Sequence, residues 1–145
     1  MCGFAGFCGA GDYDREAIIK EMGDLIAHRG PDSAGSFIDD TVALGFRRLS
    51  IIDLKGGTQP MYSEDGRYVI VFNGEIYNYR ELREELKKSG KTFATDSDTE
   101  VILRTYEVYG KATAARLRGM FAFAVYDRRE KKLYGARDWF GIKPF

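Results

Sequence analysis

Tyr68-Val69-Ile70-Val71-Phe72-Asn73-Gly74 is an unbroken apolar run closed by a turn dipeptide. Five large apolar residues without polar alternation predict a strand of the buried type, and Asn73-Gly74 predicts its end. Downstream, Met120 to Asp127 reads as a second strand. Arg128 to Lys132 is a charged hairpin loop, and Leu133 to Arg137 the returning strand. Upstream, Phe4 to Cys8 reads as a short strand interrupted by Gly6, and Thr41 to Ile52 as one or two more before a Gly56-Gly57 loop. Helical spacing fills the intervals. Ile18, Met22, Leu25 and Ile26 predict a helix over Asp14 to Ala27, stopped by His28-Arg29-Gly30-Pro31. Leu82 and Leu86 predict another over Asn78 to Ser89, with Asn78 as cap and Gly90 as stop. Ser97-Asp98-Thr99-Glu100 is a capping box, so a third helix starts near Asp98 and carries Val101, Ile102, Leu103, Tyr106 and Tyr109. A shorter helix is expected over Lys111 to Leu117. Strands at both ends with helices between and beside them predict an α+β layered domain.

The 145 residues suffice for one domain with a real core, and 44% hydrophobic against 30% charged residues fits a globular chain. Twenty-two basic and 22 acidic residues balance, which gives no electrostatic footprint for nucleic acid. No apolar run reaches the length of a membrane span, and no signal peptide is visible, so no membrane partner is expected. Cys2 and Cys8 form neither a useful staple nor a Cys-x-x-Cys pair. A reduced, cytoplasmic setting is expected, with Cys8 as a small core residue.

Several motif fragments fail on their spacing. Gly90-Lys91-Thr92 lacks the earlier glycine of a phosphate loop, since Glu85 stands there. Gly9-Ala10-Gly11 lacks the third glycine of a dinucleotide fingerprint, Asp14 standing in its place. Asp96, Asp98, Glu100 and Glu107 fall at calcium-loop spacing, but the obligatory glycine is Val101. No metal site is expected. His28, Asp32 and Ser33 lie too close together for a hydrolytic triad, so His28 is read as structural.

The second residue is a cysteine. Removal of Met1 would leave one residue carrying both a thiol nucleophile and an α-amine base, with pKa values of about 8.5 and about 7.7–8.0. On position alone, an incidental cysteine after an initiator methionine remains the alternative. Further segments bear on that choice: Cys2-Gly3-Phe4-Ala5-Gly6, His28-Arg29-Gly30-Pro31-Asp32, Arg48-Leu49-Ser50-Ile51-Ile52-Asp53 and Gln59-Pro60-Met61. Phe72-Asn73-Gly74-Glu75-Ile76-Tyr77-Asn78, Ser97 to Ile102, Gly119 to Ala124 and Arg137 to Pro144 follow in order. Together they resemble the glutaminase domain of glutamine-hydrolysing asparagine synthetases. These are class II glutamine amidotransferases within the N-terminal-nucleophile hydrolases. The resemblance covers residues 1–145 as one glutamine amidotransferase domain and decides for Cys2 as nucleophile.

The resemblance implies a sandwich of two antiparallel sheets flanked by helices, continuing in relatives beyond Phe145 into further strands and an ATP-using synthetase domain. The chain is therefore expected to be truncated at its C-terminus. It implies hydrolysis of the glutamine side-chain amide to glutamate and ammonia through a Cys2 thioester. The oxyanion would be held by the Asn73 carboxamide and the Gly74 N–H, although a plain hairpin turn is the alternative for Asn73-Gly74 taken alone. Arg48 would bind the α-carboxylate, Leu49, Ser50, Ile51 and Ile52 would supply backbone contacts, and Glu75 and Asp98 would receive the α-ammonium. Arg47 is expected to be solvated. Arg29, Asp32 and Asp138 are expected in buried or loop-ordering ion pairs, and Phe46 and Trp139 depart from the family pattern on the pocket wall. No cofactor is implied in this domain, while ATP and magnesium belong to the synthetase domain. The partners implied are glutamine and the ammonia-accepting synthetase domain of the same protein, and a homodimer is allowed. Two alternatives stand beside asparagine synthesis: the same glutaminase chemistry feeding another acceptor, and an inactive glutamine-binding regulatory fragment.

Overall fold

In the computed structural model, residues 2–9, 11–49 and 58–145 are described. The elements run β1 (Gly3–Cys8), α1 (Arg15–Leu25), β2 (Ser33–Ile38), β3 (Val42–Arg48), β4 (Met61–Tyr62), β5 (Tyr68–Ile76), α2 (Tyr79–Lys88), α3 (Asp98–Tyr109), α4 (Thr113–Arg116), β6 (Gly119–Asp127) and β7 (Lys132–Arg137). They form two antiparallel sheets, ordered β1-β3-β2 and β4-β5-β6-β7.

Period-two alternation explains how the sheets stack. On β3, Val42, Leu44 and Phe46 join Val69 and Val71 of β5 and Ala124 and Tyr126 of β6 in one buried cluster between the sheets. The opposite face of β3 lies under α1, where Ile19 packs against Gly45. On β5 and β6, the alternate residues Ile70, Phe72, Phe121, Phe123 and Val125 meet Leu82, Leu86, Val101, Ile102 and Leu103 from α2 and α3. The order of layers is helix, sheet, sheet, helices. The apolar run of β5 is thus covered on both faces, and each fully buried Val or Ile contributes about 1.5–3 kcal/mol.

Local chemistry fixes the helix ends. The Asp14 carboxylate accepts the Ala17 N–H at 3.0 Å and caps α1. α1 stops at Leu25, and a single 3₁₀ turn over Ala27–Arg29 follows. α2 ends on Gly90 at φ 89°, with Gly90 N–H to Lys87 O at 2.9 Å and Lys91 N–H to Leu86 O at 3.0 Å, the paired bonds of a Schellman cap.

The structure departs from the sequence reading in several places. Asn73-Gly74 does not end β5, which continues to Ile76 in register with Gly119. The strands β2 and β4 carried too weak a pattern to be expected: β2 is rich in Ser, Ala and Gly, and β4 has two residues. Asn78 does not cap α2. Its carboxamide donates to Arg116 O at 3.0 Å and accepts the Arg118 N–H at 2.8 Å, fastening the approach to β6. The capping box is half formed. Ser97 accepts the Thr99 N–H at 3.1 Å, but Glu100 turns back to the Ala94 and Thr95 amides. Cys8 is exposed at the end of β1 rather than part of the core. The expected Gly56-Gly57 loop and the end of the Thr41 to Ile52 segment lie outside the described residues. Among the described residues, no helix is long and apolar enough to cross a membrane.

Candidate active site

A cleft of about 300 Å³ opens where the C-terminal ends of β3 and β5 approach the N-terminus of α3. Its walls include Cys2, Arg48, Leu49, Asn73, Gly74, Glu75 and Asp98. The structure therefore brings together every site residue expected from the sequence that it describes. Ser50, Ile51 and Ile52 lie outside the described residues.

The edge of β5 that faces away from β6 shows how the cleft gains a free donor. Alternate amides along this edge all point the same way, and each needs a partner if buried. The Tyr68 N–H is taken by Ser63 Oγ at 2.8 Å, and Ile70 is opposite Met61 of β4. The Phe72 N–H is taken by the Gln59 carboxamide oxygen at 2.6 Å, and the Ile76 N–H by Asp98 at 3.1 Å. Gly74 stands between the last two. Its register partner Phe121 gives its own N–H and C=O to Asp138, at 3.1 and 2.8 Å, so that pair is not bonded across the sheet. Among the described residues the Gly74 N–H has no partner and lies on the cleft side. Glycine is required here: φ is 152°, and a Cβ would collide with the Met120 carbonyl and lie 2.7 Å from Phe121 Cα. Asn73, the preceding residue, alternates to the inter-sheet side with Val71. Its carboxamide has no hydrogen-bond partner among the described residues.

Cys2 sits one residue before β1. Its sulfur lies between the two backbone groups of Leu49: the Leu49 N–H donates to Sγ at 3.4 Å, and the thiol donates to Leu49 O at 3.6 Å. A thiolate keeps the first contact, and only a thiol makes the second. The Cys2 carbonyl accepts from Arg29 Nε at 3.3 Å. The His28-Arg29-Gly30-Pro31 motif thereby anchors the Cys2 backbone, and Arg29 bonds a carbonyl there rather than joining the expected ion pair among the described residues. Gly30 allows this approach, because a Cβ there would collide with the Arg47 carbonyl.

Alternation on β3 separates the two adjacent arginines. Arg48 falls on the same side as Leu44 and Phe46 and lines the cleft. Arg47 falls on the α1 side, where it donates to Gly23 O at 3.0 Å and pairs with Asp24. It clamps the end of α1 and is not the solvated charge expected.

At the far end, Asp98 opens α3. Removal from water pushes its carboxyl up to about 6, and the neighbouring Glu75 charge adds to the rise against the Ile76 N–H bond that opposes it. Two carboxylates sharing one partly dry corner make a site that an incoming cation relieves.

Other residues of the cleft carried no local sequence signal: Gln59, Tyr79, Met120 and Lys143 also line it. Lys143 is 2% exposed, and Asp138 places it. The Asp138 carboxylate accepts four backbone N–H groups, from Phe121, Phe140, Ile142 and Lys143, at 2.9–3.1 Å. Those bonds hold its carboxyl below the usual value despite burial. Asp138 therefore orders its loop through amides, not through the expected ion pair. Phe46 does line the cleft, whereas Trp139 is 86% exposed and away from the wall where it was expected. The four acids at calcium-loop spacing serve different partners: Asp96 pairs with Arg83, Asp98 bonds Ile76, Glu100 bonds Ala94 and Thr95, and Glu107 pairs with Lys91 and Arg104.

Two stacked antiparallel sheets between helical layers, with Cys2 and the open Gly74 N–H lining one cleft, give this chain the fold of the N-terminal-nucleophile hydrolases. More narrowly, residues 1–145 match the glutamine amidotransferase domain family, and the chain belongs to that family. It is 57% identical to "Asparagine synthetase [glutamine-hydrolyzing] 1" of Bacillus subtilis over 99% of this chain and 23% of that protein. A "Putative asparagine synthetase [glutamine-hydrolyzing]" of Mycobacterium tuberculosis is 46% identical over 99% of this chain and 25% of its own length. The chain thus spans about a quarter of these relatives. Among solved structures, the glutamine phosphoribosylpyrophosphate amidotransferase of B. subtilis superimposes with a TM-score of 0.57 at 25% identity, over 70% of this chain and 24% of that one.

Proposed function

We propose that this domain hydrolyses free glutamine to glutamate and ammonia and supplies the ammonia for ATP-dependent asparagine synthesis from aspartate. One observation carries the reading: Cys2, the unpaired Gly74 N–H, Arg48 and the Glu75–Asp98 corner line a single cleft. Their chemistry matches the three functional ends of glutamine. Once Met1 is removed, the α-amine of Cys2 takes the thiol proton while sulfur bonds to the side-chain amide carbon. The C=O electron pair moves to oxygen, which is met by the Gly74 N–H and the Asn73 carboxamide. Donors of this kind are each worth about 2.7–4 kcal/mol in the transition state. Collapse of the intermediate expels ammonia, which takes the proton back from the amine, and leaves a thioester. Water then attacks the thioester, releasing glutamate and restoring the thiol.

Arg48 would hold the α-carboxylate through its planar fork. Glu75 and Asp98 would hold the α-ammonium, and backbone groups of Leu49, Ser50, Ile51 and Ile52 would line the same edge. A glutamine inside a peptide lacks both charged ends and would be rejected. ATP and magnesium belong, in this reading, to a synthetase portion. In this domain, Gly90 caps α2 and Lys91 pairs with Glu107 at 2.7 Å, so the Gly90-Lys91-Thr92 run forms no phosphate cradle. The synthetase portion of the same protein is the partner, the compartment is the cytoplasm, and a homodimer is compatible.

Cys2→Ala tests the reading. It should abolish ammonia release while calorimetry still detects glutamine binding, with mass spectrometry of the wild type reporting loss of Met1. Undiminished turnover in the variant, or full activity with Met1 retained, would overturn it.

A further inference from the structure

Gln59 makes three hydrogen bonds with one carboxamide and is 7% exposed. Its oxygen accepts the Phe72 N–H at 2.6 Å, and its nitrogen donates to Phe72 O at 3.2 Å and to Thr99 Oγ1 at 3.3 Å. The first two bonds copy those of a neighbouring strand. β4 pairs with β5 only through Met61 and Tyr62, so two residues further along Phe72 would show a bare N–H and C=O to a buried edge. The Gln59 side chain fills that gap. The third bond reaches a different element, α3.

The positions of these partners matter. Phe72 directly precedes the oxyanion donors Asn73 and Gly74, and Thr99 directly follows Asp98. Asp98 in turn holds the Ile76 N–H two residues beyond Gly74. Gln59 and Asp98 therefore bracket the Gly74 amide, which is open among the described residues, and Gln59 fastens both brackets together. Its own backbone packs closely on the other sheet, where a Cβ on Gly35 of β2 would collide with the Gln59 carbonyl.

Resting on the glutamine-hydrolysis reading, we infer that Gln59 is a positioning residue that sets the span between the oxyanion donors and the α-ammonium receptor. It thereby determines preference for a substrate that carries an α-ammonium. Gln59 touches neither the reacting carbonyl nor the ammonium. It acts through the main chain of Phe72 and the hydroxyl of Thr99.

The test compares kcat/KM for glutamine with that for glutaramate, which is glutamine without its α-ammonium. Thr99→Val keeps the shape of the side chain and removes only the acceptor that links Gln59 to α3. The glutamine-to-glutaramate ratio should fall by about tenfold, the size of one misplaced charged contact, while glutaramate turnover stays within about twofold. Thr99→Ser should restore the ratio. Gln59→Met should lower turnover of both substrates as well as the ratio, because it also frees the Phe72 edge. A Thr99→Val enzyme with an unchanged ratio, or with equal losses on both substrates, overturns the positioning role alone. A wild-type protein that releases no ammonia from glutamine overturns the proposed function beneath it.

Discussion

Replacing Asp98 by asparagine should make the glutamine-free protein more stable at neutral pH and worse at its task. The Asp98 carboxyl is raised from 3.8 to about 6 by desolvation, with Glu75 contributing. A group whose folded pKa is raised imposes no penalty below its unfolded value and its full penalty above its folded value. Between pH 3.8 and about 6 the unfolded chain releases a proton that the folded chain keeps, so this group lowers stability as pH rises through that window. The displacement corresponds to about 3 kcal/mol of destabilisation above pH 7. The carboxamide installed by Asp98→Asn would remain neutral, and its oxygen would still accept the Ile76 N–H. The gain should be about 3 kcal/mol at pH 7.5 and under about 1 kcal/mol at pH 4. Urea unfolding of both proteins at pH 4, 6 and 7.5 measures it. The same substitution should raise KM for glutamine by at least about tenfold, since an ammonium would lose a charged partner. Equal stability differences at all three pH values, or a destabilised variant at pH 7.5, would show that the Asp98 charge carries no such penalty.

Arg48→Ala should raise KM for glutamine by about 10- to 100-fold with a smaller change in kcat, because the proposed bidentate carboxylate contact would be made in ground and transition states alike. Steady-state kinetics decide this, and an unchanged KM would count against the role. Asp138→Asn replaces one of two oxygens that each receive two backbone amides, so two donors lose their acceptor at about 1–3 kcal/mol each. Thermal unfolding should show a Tm lower by about 5–20 °C at pH 7. Because the Asp138 carboxyl is held below its ordinary value, its contribution is present above the unfolded pKa and lost as pH falls through the folded one. The deficit of the variant should therefore shrink in acid.

The elements legible in the sequence were those whose local and tertiary demands agree. Leu82 and Leu86 recur at helical spacing and do face the second sheet, and the Tyr68 to Phe72 run is buried on both faces as its composition demands. The exceptions are residues that do something other than their commonest local job. Asn73-Gly74 has turn chemistry, yet the strand passes through it, because glycine is needed there for close approach to β6. Asn78 stands at a helix start but spends its carboxamide on the segment before β6. Telling Arg48 from Arg47 requires the register of β3 and the knowledge of which face meets the other sheet, neither of which is local. Gln59 and Lys143 entered the cleft by long-range contacts alone, one through Phe72 and Thr99 and the other through Asp138. Their only sequence signal was membership of the Gln59-Pro60-Met61 and Arg137 to Pro144 segments.

The vacant hydrogen on the β5 edge belongs to the main chain. Point replacement by anything but proline leaves that hydrogen in place. A mutational survey of this domain would accordingly score Gly74 as a folding position and overlook the oxyanion role proposed for its N–H. Exchanging the amide for an ester at that one linkage, by chemical ligation, is the alteration that would isolate it.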